Sequence, residues 1–181
     1  MDRALVRVSK FLSLVLRHDP SRVGLELDAG GWVDVEDLLR ATARAGLALD
    51  RATLQRVIAE NDKQRFALSP DGVRIRASQG HSVPVDLGLR ELAPPAELFH
   101  GTADRFLAGI RREGLRAGSR NHVHLSADEA TARQVGQRHG RPVVLRVDAA
   151  AMHAAGHRFW RSDNGVWLAE RVPVEFLSFP C

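Results

Sequence analysis

The rhythm of apolar residues changes once along this chain, between Gly88 and Ala96, and no other feature constrains the fold as much. Before that stretch, apolar residues recur at helical spacing. Leu5, Val8, Leu12, Val15 and Leu16 form one stripe, with Lys10, Ser13 and Arg17 on another face. Asp19-Pro20 stops this helix. A second helix is predicted to begin at Asp34, a good N-cap, with Asp37 three residues on and Leu38 and Leu39 facing inward; it ends near Gly46. A third follows Asp50 and carries Leu54, Val57 and Ile58. Phe66-Ala67-Leu68 and Val73-Arg74-Ile75-Arg76 flank a Ser69-Pro70-Asp71-Gly72 turn, which predicts a hairpin. Three helices followed by a two-stranded wing is the order of a winged helix.

Beyond Pro94-Pro95 short β-like runs replace the helices: Leu98-Phe99-His100, Val123-His124-Leu125, Val143 to Val147, Val166-Trp167-Leu168 and Phe176-Leu177. Short helical stretches around Phe106, Leu107 and Ile110, and from Asp128 to Val135, separate the first three. The expected organisation is α+β: a lobe over 1–87, a linker over 88–96 and a second lobe with a mostly β core over 97–181.

With 181 residues, 44% of them hydrophobic, the chain can build a core in one domain or two small lobes. No apolar run approaches the ~20 residues that span a bilayer. Arg3, Arg7 and Lys10 interrupt the N-terminal pattern, which reads as an amphipathic helix rather than a secretory signal. Cys181 is the one cysteine, so an intrachain disulfide or a cysteine-based zinc site is excluded and a cytoplasmic location is expected. A net charge of +4 permits a polyanionic partner without demanding one. Apart from Lys10 and Lys63 every basic residue is arginine, whose planar fork suits phosphate.

Several clusters can carry chemistry. Arg17-His18 closes the first helix, where a cation also suits the helix dipole. Asp62-Lys63-Gln64-Arg65-Phe66 enters the wing; in an extended chain Lys63 and Arg65 share a face. Gln79-Gly80-His81-Ser82 reads as a turn. His100-Gly101-Thr102 sets an imidazole beside a glycine whose missing side chain lets a ligand reach the backbone. His122 and His124 share a strand face; with His100 they have metal-ligand character, but no Asp, Glu or Cys stands nearby in support, so no metal is expected. Val135-Gly136-Gln137-Arg138-His139-Gly140 precedes the strongest strand, and Asn164-Gly165 signals a hairpin turn.

Taken in order, these clusters, together with Gly31-Trp32-Val33-Asp34, resemble the NAD-dependent RNA 2′-phosphotransferase family of the KptA type, from about Val6 to Phe176. The best-known members act on tRNA after splicing. The resemblance implies an N-terminal winged-helix RNA-binding lobe and a C-terminal ADP-ribosyltransferase-like lobe. It carries catalytic roles onto Arg17, His18, Arg65 and Arg138. It carries NAD⁺-handling roles onto His100, Gly101, Thr102, His122, His124, Ser126, Asn164, Gly165 and Val166. Many ADP-ribosyltransferases have a glutamate where Val166 stands, which argues against ordinary protein ADP-ribosylation. The implied reaction has two steps. An internal RNA 2′-phosphate attacks the nicotinamide ribose of NAD⁺ and nicotinamide leaves. The ribose 2″-hydroxyl then attacks phosphorus, giving 2′-hydroxyl RNA and ADP-ribose 1″,2″-cyclic phosphate. Arginine forks suit the positioning of an anionic nucleophile and the charge built up in the second step. Lys10, Arg17, Lys63 and Arg65 on the open side of the first lobe are expected to contact RNA phosphates. NAD⁺ is expected to be consumed as co-substrate by a monomer that uses no metal and no membrane.

Two rivals compete with this reading. One is an ADP-ribosyltransferase that stops after the first step. The other is a winged-helix DNA-binding regulator, whose base-reading candidates are limited to Arg51, Gln55 and Arg56.

Overall fold

The computed structural model describes residues 2–180; Met1 and the single cysteine, Cys181, lie outside them. The chain divides into two compact units, Met1–Gly88 and Leu89–Cys181. It is an α+β protein with small antiparallel sheets.

In the first unit α1 spans Arg3–Arg17. Asp2 starts it, its carboxylate accepting the Leu5 amide at 2.9 Å, a bond that also holds the Asp2 pKa below the usual carboxylate range. Leu5, Leu12, Val15 and Leu16 are buried as the stripe predicts, while Val8 only packs at the margin and Ser9 takes a core position. His18 caps the C-terminus, and Pro20 opens a 3-10 turn to Val23, since the residue before a proline is pushed out of the helical region. Strand β1, Val33–Asp34, precedes α2, Val35–Arg44. The Asp34 carboxylate accepts the Glu36 and Asp37 amides at 2.8 and 3.3 Å, so the predicted N-cap is observed. Asp50 caps α3, Arg51–Ala59, through the Thr53 amide at 2.7 Å.

The predicted hairpin is β2, Phe66–Leu68, and β3, Arg74–Ala77, closed by the Ser69 amide on the Arg74 carbonyl at 2.9 Å. The sheet has three strands rather than two, in the order β1-β3-β2, because Val33 and Asp34 pair with Ile75 and Arg74. A two-residue strand has too little alternation to show in a sequence.

The second unit begins with a stretch that is partly paired: the Leu92 amide donates to the Phe159 carbonyl at 2.9 Å. Its longest ladder joins β4, Glu97–Ala103, to β7, Pro142–Asp148, from Glu97 opposite Asp148 to Ala103 opposite Pro142. Between them lie α4 (Leu107–Glu113), β5 (Leu115–Arg116), β6 (Val123–Leu125) and α5 (Glu129–Gly136). After β7 come α6 (Ala149–Ala154), β8 (Phe159–Arg161), β9 (Trp167–Ala169), β10 (Arg171–Val172) and β11 (Leu177–Ser178). The sheets run β11-β7-β4, β6-β9-β8 and β10-β5. Phe99 and Ser126 exchange both backbone hydrogen bonds, at 2.9 and 2.7 Å, and so link β4 to the β6 sheet. Leu98, Leu125, Leu145, Val147, Met152 and Phe159 are buried in the core between these elements. Among the described residues, no helix is long and apolar enough to cross a membrane.

Candidate functional site

In the first unit the end of α1 and the entry to β2 are stitched together. An Arg17 Nη2–H donates to the Arg65 carbonyl at 3.4 Å. Arg65 Nη1–H in turn donates to Asn61 Oδ1 at 2.9 Å. Asn61 is only 3% exposed, and its amide nitrogen donates to the buried Ser9 hydroxyl at 3.4 Å. The polar core position on α1 therefore anchors the arginine at the entry to β2 through one asparagine. The acceptors in these three bonds are a carbonyl, an amide oxygen and a hydroxyl, and the bonds orient the two guanidinium groups.

His18, exposed at the helix end, meets the Ser82 hydroxyl through Nδ1 at 2.9 Å. Behind it His81 is 2% exposed, and among the described residues neither of its ring nitrogens has a hydrogen-bond partner. Burial, then the charges of Arg17, His18 and Arg76, lower its pKa to about 4, so the ring is neutral at physiological pH. The structure brings Arg17, His18 and Arg65 together, and adds Asn61, Ser82 and Ser9. Their signals in the sequence were faint: Ser9 breaks an apolar stripe, and Ser82 sits in a turn-like run.

Lys10 is exposed on α1, and Lys63 is exposed in the turn before β2. The expectation that Lys63 and Arg65 share a strand face is not met. Gln64 between them has φ +42, a left-handed conformation, and the Gln64 amide bonds back to the Asn61 carbonyl at 2.8 Å. The chain is turning there, so the two-residue period of an extended strand does not apply.

In the second unit His100 and His124 have opposite hydrogen-bonding polarity. His100 Nδ1 lies 3.0 Å from the His124 carbonyl, which can only accept. The proton is therefore on Nδ1 and a lone pair on Nε2. Burial first, with the charges of His139 and Arg120, keeps the His100 pKa below its usual value and the ring neutral. His124 Nδ1 faces Arg120 Nη1 at 2.9 Å. Arginine can only donate, so His124 carries its proton on Nε2. Arg120 was not singled out from sequence. The residue is exposed, yet desolvation of its guanidinium, then the charge of Arg138, hold its pKa below the arginine range. Arg138 itself is exposed in the turn Gln137–His139 that follows α5. Across the sheet His124 stands opposite Leu168, and Leu168 opposite Trp160. The His122 ring lies 5.2 Å from the Trp160 ring, consistent with one shared face for the two histidines.

Gly101 needs a different explanation from the one its sequence suggests. A Cβ built there would lie 1.7 Å from the Ala132 carbonyl oxygen and 2.9 Å from the Gly136 nitrogen. A Cβ on Gly136 would lie 2.5 Å from the Thr102 carbonyl oxygen. These two glycines let α5 lie directly on β4; the space is filled by the protein, not left for a ligand. The main chain is a separate matter. Phe99 directs its N–H and C=O toward Ser126, so two residues on Gly101 directs its own along the same edge, away from β7. Thr102 is buried next to it.

The Asn164-Gly165 turn joins β8 to β9 as predicted, with Val166 in the turn rather than in the strand. Ser162, 4% exposed, organises it. Its hydroxyl donates to Asn164 Oδ1 at 2.7 Å and accepts the Val166 amide at 3.1 Å. Among the described residues no group of three His, Cys, Asp or Glu side chains is arranged to hold a metal ion.

Known proteins match this chain over nearly its whole length. Residues 3–171 match the family model described as RNA 2′-phosphotransferase, Tpt1 / KptA family. A probable RNA 2′-phosphotransferase of Agrobacterium fabrum is 61% identical over 94% of this chain and 91% of its own length. Those of Pseudomonas aeruginosa and Rhodopirellula baltica are 58% and 54% identical, covering 98% and 99% of this chain and 98% of each relative. With a match across nearly its whole length, the chain belongs to the RNA 2′-phosphotransferase, Tpt1 / KptA family.

Proposed function

We propose that this protein is an RNA 2′-phosphotransferase that moves an internal RNA 2′-phosphate to NAD⁺, built from a winged-helix unit and an ADP-ribosyltransferase-like unit. The observation that carries the reading is the Ser9–Asn61–Arg65–Arg17 chain beside His18. It holds two guanidinium groups in a fixed orientation, which suits a phosphate. Arg17, Arg65 and His18 position that phosphate, and pre-paid orientation of this kind is worth up to about 7–11 kcal/mol. Arg138 is assigned the stabilisation of negative charge at phosphorus.

The residues of the second unit fit a dinucleotide. The His100 Nε2 lone pair accepts a ribose hydroxyl, the His124 Nε2–H donates, and the Gly101 main chain offers one donor and one acceptor to a carboxamide. Asn164, Gly165 and Val166 shape the neighbouring turn, and Ser126 pins β6 to β4. Bound NAD⁺ would supply the ribose carbon that takes the phosphate and the hydroxyl that later attacks phosphorus. The same reading makes the protein a monomeric, cytoplasmic enzyme acting on tRNA-like RNA, with affinity that falls as salt rises.

The test is one incubation of the protein with NAD⁺ and a short RNA bearing an internal 2′-phosphate, with products identified by mass. Loss of phosphate from the RNA with ADP-ribose 1″,2″-cyclic phosphate and nicotinamide appearing is expected, and Arg65→Ala should accumulate ADP-ribosylated RNA. An intact 2′-phosphate with NAD⁺ unconsumed would refute the reading; ADP-ribosylated RNA as the wild-type end product would shift it to a single-step transferase.

A further inference from the structure

The Gln79–Val83 segment closes over the end of α1. The Arg17 carbonyl accepts the Ser82 amide at 2.9 Å and the Val83 amide at 3.3 Å. Gly80 passes over the Arg17 side chain at φ +87, a conformation that disfavours any residue with a Cβ. The segment is thus anchored by backbone bonds at the residue before His18. From that anchor the Ser82 hydroxyl reaches His18 Nδ1 at 2.9 Å, across 64 residues of sequence.

The two amides already satisfy the Arg17 carbonyl, so capping the helix does not require the hydroxyl. What the hydroxyl adds is a restraint on the imidazole. His18 is exposed on a C-cap, and a hydroxyl held at 2.9 Å from Nδ1 favours one rotation of its ring. We infer that Ser82 is a positioning residue: its hydroxyl engages His18 Nδ1, sets the rotation of the ring, and makes Nε2 the nitrogen that meets the RNA 2′-phosphate. The inference rests on the proposed reaction for its chemistry, but the contact itself can be read without it.

The experiment compares the wild-type protein with Ser82→Ala and Ser82→Thr. Thermal melting of each confirms folding. Steady-state rates of 2′-phosphate removal at saturating NAD⁺ are measured, and the His18 ring nitrogens are followed by nitrogen-15 NMR against a His18→Gln control. Losing the hydrogen bond that orients a ring acting on an ionic phosphate should lower kcat about 10- to 100-fold, with KM for RNA changed less than about threefold. Ser82→Thr, which keeps the hydroxyl, should recover most of kcat. In Ser82→Ala the His18 Nδ1 resonance should move toward a solvent-exchanging mixture of tautomers. A kcat within twofold of wild type in Ser82→Ala, or an unmoved His18 Nδ1 signal, overturns the inference. If the wild-type protein leaves the 2′-phosphate intact, it is the proposed reaction that fails, and the NMR comparison still decides whether Ser82 orients His18.

Discussion

Replacing Gly101 with alanine places one methyl group against a helix backbone. The new Cβ would lie 1.7 Å from the Ala132 carbonyl oxygen and 2.6 Å from its carbon. Comfortable carbon contacts begin near 3.5 Å, so α5 must retreat from β4 by about 1.8 Å. The obstacle is main chain inside a helix, which cannot swing aside as a side-chain tip can. Inserting a methylene into a packed interior costs about 1–3 kcal/mol, and this geometry calls for about 3 or more. For a unit of this size each kcal/mol lowers the melting temperature by about 4–8 °C, so a fall beyond about 10 °C is expected. Thermal and urea unfolding of the full chain measure it, with Gly109→Ala as control. Nothing lies within 4 Å of a Cβ at Gly109, which sits inside α4, so that change should be neutral or stabilise by about 0.5–1 kcal/mol. If Gly101→Ala melts like the wild type while KM for NAD⁺ rises, the packing argument is wrong and the glycine is reserved for ligand approach.

Asn61→Ala removes the acceptor of Arg65 Nη1 and of the Lys63 amide from a buried position, and should cost about 1–3 kcal/mol in denaturant titration while slowing phosphate removal; unchanged stability and rate would break the link from Ser9 to Arg65. His81 is held neutral when folded, with a pKa of about 4 against 6.5 in the unfolded chain. Below pH 6.5 the unfolded chain binds the extra proton, so stability should fall as pH drops from 6.5 toward 4. His81→Phe should flatten that fall in melting temperature, and parallel curves for the two proteins would count against it. Arg120→Ala removes the donor at His124 Nδ1 and so weakens the preference for a proton on Nε2. KM for NAD⁺ should rise about tenfold with little change in kcat, and an unchanged KM would separate Arg120 from the dinucleotide.

The sequence by itself determined what rests on neighbours within a few residues. Asp34 and Asp50 were readable as helix caps because a cap bonds to amides two or three positions on. The Ser69–Gly72 and Asn164-Gly165 turns were readable because turn chemistry is local. The order of motifs was enough to point to the family before any contact was seen. Strands β1, β5 and β10 were not readable, since two residues carry no periodicity, and neither was α6, an alanine-rich stretch without an apolar stripe. Only the tertiary structure decided why Gly101 is glycine, because the reason is a helix that begins almost thirty residues later. It alone tied Ser9 to Asn61 and His18 to Ser82, contacts 52 and 64 residues apart. It also assigned His100 as an acceptor and His124 as a donor. A proton's place on an imidazole is set by whichever group stands at the other nitrogen, and for these two rings the packing of the second unit supplies that group.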